Sequence, residues 1–278
     1  MKFVFFGTPY VARDTLDALV QNGYTPEVVV TNPDAPRGRG HVMTPSETKV
    51  WAEEHDIPTL TPERLDEDFI NVLKEYGCAY AVVVAYGKIL PEALIASFPK
   101  GVINVHYSLL PKYRGASPTE GALLNGDTVT GVTIQQMVRE LDAGDILAQK
   151  EVPILPEDTT KTLRPRLIEA GATLLLETLP LFEEGSITPR AQEHASATHA
   201  GKIQKEDGCL DLSAPALENW NKYRAYAEWP GTFFFTEKDG RNIRVKVNSA
   251  HLTDDGVFEI LRVTPEGKKE MDFEILQR

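Results

Sequence analysis

The stretch Val102-Ile103-Asn104-Val105-His106-Tyr107-Ser108-Leu109-Leu110-Pro111 determines how the rest of this chain is interpreted. It has the apolar character of a buried strand, yet it carries two hydrogen-bonding side chains two residues apart. Because side chains alternate between the two faces of a strand, Asn104 and His106 point the same way, where both could contact one substrate. Pro111 cannot continue a central strand, so we expect the strand to end there.

The composition is that of a globular protein with room for one large α/β domain and a smaller one: 278 residues, 42% hydrophobic and 25% charged. No run approaches the roughly 18 apolar residues of a membrane helix, and the N-terminus lacks a signal peptide pattern. We expect a cytoplasmic protein without a membrane or DNA partner. The net charge of −12 means that any nucleic acid must be bound by a local basic patch.

The cysteines indicate neither a disulfide framework nor a metal site. Cys78 and Cys209 lie far apart in the sequence, and no second thiol or histidine stands near either one at the spacing of metal ligands. We therefore expect no metal, and we interpret both cysteines as small hydrophobic residues of the core.

Apolar strands that alternate with helices predict an α/β fold. Lys2–Phe6, Glu27–Thr31 and Ala79–Tyr86 are expected to be strands of a Rossmann-like, mostly parallel sheet with helices on both faces. The turn at Gly7 lacks the G-x-G-x-x-G spacing, which disfavours a dinucleotide. Short alternating strands near the end predict a small C-terminal β-barrel of the OB type. The expected division is a catalytic domain at 1–188, a linker at 189–206 and the barrel at 207–278.

A third polar residue completes a candidate site. Asp142 lies in the turn Arg139–Asp145, between two predicted strands. An amide, an imidazole and a carboxylate suit acid/base chemistry that stabilises an oxyanion, as when an amine attacks an acyl carbon. Ser108 lacks a Gly-x-Ser-x-Gly elbow, which argues against a serine hydrolase. The alternative is that His106 is a core histidine and Asp142 a capping residue.

Several segments resemble folate-dependent formyltransferases, with the same spacing from Asn104 to Asp142. The signature segments are Asn104-Val105-His106, Ser108-Leu109-Leu110-Pro111, Arg114-Gly115 and Leu141-Asp142-Ala143-Gly144-Asp145. The resemblance extends over the chain, to members of the family that act on tRNA, through Gly7-Thr8-Pro9, Pro33-Asp34, Gly38-Arg39-Gly40, Val84-Ala85-Tyr86-Gly87, Lys202-Ile203 and Trp229-Pro230-Gly231.

This resemblance implies 10-formyltetrahydrofolate as the formyl donor and the α-amino group of methionyl initiator tRNA as the acceptor. It implies that Asn104 and His106 hydrogen-bond the formyl oxygen, while Asp142 pairs with His106 and helps to move a proton. The implied folate contacts are Ile89, Leu90, Ser108, Leu109, Leu110, Pro111 and Glu140. The implied contacts with the acceptor are Arg37, Arg39, Tyr107 and Arg114.

Three alternatives remain at this point. A sugar-nucleotide N-formyltransferase would use the same donor on an amino sugar, and it is favoured by Tyr107, where a small residue is expected, and by the acidic composition. Lys202-Ile203 and Trp229-Pro230-Gly231 favour the tRNA instead. The same three residues could also hydrolyse the donor with water. A non-catalytic RNA-binding module would have no need to bury an imidazole beside an amide and a carboxylate.

Overall fold

The computed structural model describes residues 1–38, 40–238 and 240–276. The chain forms two compact units. The first unit comprises Met1–Gly115, Gly131–Val152 and Arg166–His199, and the second comprises Ala116–Thr130, Pro153–Pro165 and Ala200–Arg278. The division at 188 and 206 that we expected from composition stays a prediction.

A seven-stranded sheet is the centre of the first unit. The strands of the chain up to residue 153 are β1 (Phe3–Gly7), β2 (Val28–Val30), β3 (Ala35–Arg37), β4 (Val42–Thr44), β5 (Thr59–Leu60), β6 (Tyr80–Val84), β7 (Val102–His106), β8 (Val129–Gln136) and β9 (Ile146–Pro153). The sheet order is β5-β2-β1-β6-β7-β8-β9, and β3 pairs with β4 as a separate hairpin. The five strands from β5 to β7 are parallel, whereas β8 runs antiparallel to β7.

Helices alternate with the strands, as the sequence predicts. They are α1 (Tyr10–Gln21), α2 (Glu47–Glu54), α3 (Glu67–Glu75), α4 (Glu92–Ala96), α5 (Pro118–Leu124), α6 (Thr160–Glu184), α7 (Ala216–Ala225) and α8 (Phe273–Leu276). Ser46 caps α2 by accepting a hydrogen bond from the backbone N–H of Lys49, and Asp66 caps α3 in the same way.

The two faces of the sheet pack against different helices. On one face, Phe6 and Val102 share a buried cluster with Phe69 of α3 and Leu94 of α4. On the other face, Tyr80 of β6 packs edge to face against Phe182 of α6. Asn104 and His106 follow Val102 by two and four residues, so they lie on the face that α3 and α4 cover.

The second unit contains an antiparallel sheet in the order β10-β11-β12-β13. Its strands are β10 (Phe233–Lys238), β11 (Arg241–Leu252), β12 (Phe258–Pro265) and β13 (Met271–Asp272). Its buried core is formed by Leu210, Phe234, Val245, Val247 and Val263. The predicted fold class, a Rossmann-like, mostly parallel sheet with helices and a small C-terminal β-barrel domain of the OB type, is confirmed as a mostly parallel central sheet with helices and a C-terminal antiparallel sheet. Among the described residues, no helix is both long and apolar enough to cross a membrane.

Gly131 in β8 lies where no side chain fits. A Cβ atom there would be 2.2 Å from the carbonyl oxygen of Lys150 and 2.5 Å from Cδ2 of Leu109. Because such a contact forces the backbone to move, we expect Gly131→Ala to lower the free energy of unfolding by about 2 kcal/mol or more. Urea unfolding measures this change. Gly40→Ala, which meets only Val42 at 3.6 Å, should change stability by less than about 0.5 kcal/mol, and equal losses in the two variants would contradict the explanation.

Candidate active site

The pairing of β7 with β8 produces a cluster of polar side chains on one face of the sheet. Asn104 lies directly opposite Gln135, and His106 lies opposite Thr133. Opposite residues of an antiparallel pair point to the same face, so these four side chains are neighbours. Asn104 is 9% exposed and His106 is 5% exposed. Such buried polarity requires hydrogen-bond partners, and a surrounding loop provides one for His106.

His106 is oriented by a backbone carbonyl. Its Nε2 lies 2.9 Å from the carbonyl oxygen of Tyr113. Because a carbonyl oxygen only accepts, Nε2 must donate the hydrogen bond, and Nδ1 is then the nitrogen that gains or loses a proton. Nδ1 lies 3.7 Å from Oδ1 of Asp142. The structure therefore brings together the three residues that the sequence singled out.

The Asp142 side chain is 10% exposed, and its carboxylate accepts two hydrogen bonds. Oδ2 accepts from the backbone N–H of Gly115 at 2.8 Å, and Oδ1 accepts from Nε2 of Gln135 at 2.8 Å. These donors compensate the loss of water around a buried charge. The backbone of Asp142 has φ +50°, a left-handed conformation that a residue other than glycine adopts only when its surroundings impose it.

Arg114 is a buried cation beside this turn rather than an open contact for substrate. It is 3% exposed, and its Nε and Nη2 donate to Oε1 of Gln192 at 3.1 and 2.8 Å. Its Nη1 lies 3.5 Å from Oε1 of Glu140, whose side chain is largely exposed. Of these two predicted contacts, Glu140 is open to a ligand, whereas Arg114 is engaged within the protein.

Hydrogen bonds fix the bend after β7. The hydroxyl of Ser108 donates to the carbonyl of Lys112 at 2.6 Å, and the hydroxyl of Thr133 donates to the carbonyl of Ser108 at 2.7 Å. Nε2 of Gln149 donates to the carbonyl of Leu110 at 2.8 Å. Of the predicted folate contacts in the bend, Ser108 and Leu110 are buried, and Leu109 and Pro111 are partly exposed. The bend thus presents a rigid surface in which the serine hydroxyl is already used.

The turn after β6 borders the same edge of the sheet. Ile89 is 78% exposed, whereas Leu90 belongs to the buried core. Of this predicted pair, only the side chain of Ile89 is therefore open to a ligand. Asn32, after β2, donates to the carbonyl of Tyr86 at 2.9 Å and ties the ends of these strands together. Burial raises the pKa of Tyr86 to about 12, so its hydroxyl stays protonated at neutral pH.

Two of the residues expected to contact the acceptor, Tyr107 and Arg37, lie outside the polar cluster. The ring of Tyr107 lies on the α6 side, where a Cβ at Gly171 would be 3.3 Å from it. Arg37 ends β3 in the exposed hairpin, and Arg39 lies outside the described residues. At the base of this hairpin, Nζ of Lys49 pairs with Oδ1 of Asp34 at 2.8 Å. These expectations stay predictions.

Sequence reasoning missed Gln135 and Gln192. Gln135 carried a usable signal, because it is a polar residue in an apolar strand, two residues from Thr133, as Asn104 is from His106. Its Oε1 is buried without a hydrogen-bond partner among the described residues, which leaves an acceptor available in the cluster. Gln192 gave no signal, since it lies in a polar segment that resembles a linker. In the part of the chain that the structure describes, no cluster of three or more His, Cys, Asp or Glu could hold a metal ion.

Comparison with known proteins identifies the family of this chain. A model of the formyl transferase family matches residues 1–179, and a model of the formyl transferase C-terminal domain matches residues 202–255. The methionyl-tRNA formyltransferase of Heliobacterium modesticaldum is 42% identical, over 88% of this chain and 77% of the relative. That of Koribacter versatilis is 40% identical, over 98% and 93%.

Among solved structures, an N-formyltransferase from Helicobacter canadensis in complex with folinic acid and dTDP-3-aminofucose has a similar fold. The TM-score is 0.67 at 19% identity, over 98% of each chain. At that identity the likeness shows the fold alone, whereas the relatives named above are far more similar in sequence. This chain therefore belongs to the formyl transferase family, among the methionyl-tRNA formyltransferases, as the resemblance of its motifs predicted.

Proposed function

We propose that this protein transfers the formyl group of 10-formyltetrahydrofolate to the α-amino group of methionyl initiator tRNA. The observation that carries the proposal is the cluster of buried Asn104 and His106 with the largely buried Asp142, in a chain of this family. Relatives named methionyl-tRNA formyltransferase support the choice of acceptor, since they match along nearly the whole chain. Such an enzyme works in the cytoplasm, where translation begins, and the proposed reaction needs no metal.

In the proposed reaction, the amine nitrogen attacks the formyl carbon, and the electron pair of the C=O bond moves to oxygen. Asn104 donates a hydrogen bond from its side-chain amide to that oxyanion. Because Nε2 of His106 already donates to the Tyr113 carbonyl, we assign the formyl oxygen to Asn104 and the proton transfer to His106. The new C–N bond replaces the bond between the formyl carbon and N10 of the folate.

His106 acts through Nδ1 in this proposal. It accepts the proton that the attacking amine loses and gives it to N10 of the folate as the old C–N bond breaks, so that no net proton is consumed. While His106 carries that proton, the carboxylate of Asp142 at 3.7 Å compensates its charge. The hydrogen bonds from Gln135 and Gly115 keep the carboxylate in place, so it need not reorient during the reaction.

The choice of acceptor is tested by incubating the protein with 10-formyltetrahydrofolate and either methionyl initiator tRNA or a nucleotide-linked amino sugar. We expect formylation of the methionyl-tRNA alone, measured by mass spectrometry of the released amino acid. Initiator tRNA without methionine is the matched control. Formylation of the sugar alone would refute the proposed acceptor, and Tyr107 gives the sugar no support, because its ring lies on the α6 side.

Asn104→Ala removes the proposed donor to the formyl oxygen. In comparable sites, the loss of one such donor costs about 3 kcal/mol, so we expect kcat to fall roughly a hundredfold while folate still binds. Asn71→Ala, on the exposed side of α3, is the control and should keep normal kcat. Near-normal turnover by Asn104→Ala, with folate bound, would remove Asn104 from the mechanism.

A further inference from the structure

Gln192 is buried in a segment that composition alone identifies as a linker. Its side chain is 5% exposed, although its neighbours Ala191 and Glu193 are exposed. The two family models match residues 1–179 and 202–255, so neither includes it. A glutamine is normally a surface residue, and one that is buried requires partners for both ends of its amide.

The nitrogen of this amide holds the turn that carries Asp142. Nε2 of Gln192 donates to the carbonyl oxygens of Asp142 at 2.8 Å and of Gly144 at 2.7 Å. The turn needs such support, because Asp142 has φ +50°. A Cβ at Gly144 would lie 1.7 Å from the carbonyl oxygen of Gln136. A strained conformation of this kind persists only where neighbouring groups hold it.

The oxygen of the amide is held by Arg114. Oε1 of Gln192 accepts two hydrogen bonds from the guanidinium of Arg114, which also lies 3.0 Å from Nδ1 of His194. A guanidinium only donates, so the oxygen of the amide must face Arg114 and the nitrogen must face the turn. Both N–H bonds and both acceptor positions of the amide are then used.

These contacts close a ring around Asp142. Arg114 binds Gln192, Gln192 binds the backbone carbonyl of Asp142, and the carboxylate of Asp142 accepts from Gly115, the residue after Arg114. The backbone and the carboxylate of Asp142 are thus both held by the segment Arg114-Gly115, the backbone through Gln192 and the carboxylate directly. A shift of the turn would move the Asp142 carboxylate relative to His106, because the carboxylate is carried by the turn.

We propose that Gln192 is a positioning residue, which holds the turn at Asp142 so that its carboxylate faces Nδ1 of His106. This inference rests on the proposed role of Asp142 in formyl transfer. It makes the supposed linker part of the catalytic apparatus. Gln192 itself touches no reacting atom, so it acts on the reaction rate through Asp142.

Gln192→Glu is the sharpest test. Glutamate keeps the shape and still accepts from Arg114, but it presents an oxygen instead of two N–H donors to the carbonyls of Asp142 and Gly144. A displacement of about 1 Å in a catalytic group can cost roughly a hundredfold, so we expect kcat to fall by about that factor. The KM values for folate and for methionyl-tRNA should stay within about twofold, because Gln192 is buried and its amide is already used within the protein. Gln21→Glu, on an exposed position of α1, is the matched control with the same change of charge.

A double-mutant cycle with Asp142→Asn separates positioning from general stability. If Gln192 acts through Asp142, adding Gln192→Glu to Asp142→Asn should lower the residual kcat by less than about threefold, since neighbours that act together are not additive. Gln192→Met, which has no charge and a similar volume, repeats the test if the glutamate variant does not fold. Thermal unfolding identifies the folded variants.

The outcomes are distinct. Three outcomes would overturn the inference while the proposed function stands. They are a wild-type kcat in the Gln192 variants, a full additional loss of kcat in the Asp142→Asn background, and failure of both Gln192 variants to fold. Near-normal turnover by Asp142→Asn would refute the role of Asp142, on which the inference depends. A wild-type protein that formylates no methionyl-tRNA would instead refute the proposed function itself.

Discussion

A largely buried carboxylate beside an imidazole is the constraint on which the rest of the site depends. An unpaired carboxylate in the interior is costly, so the fold must supply donors for each oxygen. Asp142 receives one N–H from the loop at Gly115 and one from Gln135 in β8. Neither donor is a cation, which leaves the negative charge of Asp142 available to a protonated His106. Neutral donors therefore satisfy the carboxylate without cancelling the charge that the proposed chemistry needs.

The register of the sheet determines where Asn104 and His106 lie. Because β8 is antiparallel to β7, a single pairing places Gln135 opposite Asn104 and Thr133 opposite His106. Thr133 accepts from the backbone N–H of Leu110 at 3.1 Å and thereby holds the bend after β7. A slip of one residue would turn these side chains to the α6 face. The same pairing thus fixes the positions of Asn104 and His106 and the shape of the neighbouring bend.

Much of this could be predicted from sequence, for identifiable reasons. The apolar strands give the parallel sheet, and polar residues at period two in one of them point to Asn104 and His106. Gln135 could have been found by the same rule in β8. The carbonyl of Tyr113 could not, because every residue has a carbonyl and only the folded loop selects one. Gln192 could not either, since a polar residue among polar neighbours shows its burial only in three dimensions. The family resemblance implied Arg114 as a contact with the acceptor, and the sequence did not reveal that Gln192 and His194 lie beside it.

The contacts of His106 limit which roles its two nitrogens can have. Nε2 points to the carbonyl of Tyr113, a backbone group that cannot take up a proton. Any change in the protonation of His106 that keeps this hydrogen bond must therefore occur at Nδ1, which faces Asp142. The loop at Tyr113 thus selects the tautomer of His106, and the turn at Asp142 supplies the partner for its charge. The hydrogen bond from Gly115 to the Asp142 carboxylate joins these two segments. An imidazole with one nitrogen committed to the backbone has a single site for proton exchange, so a proton that enters at Nδ1 must also leave from Nδ1. In the proposed mechanism, the attacking amine and N10 of the folate must therefore approach the same nitrogen in turn, from the side that Asp142 does not cover.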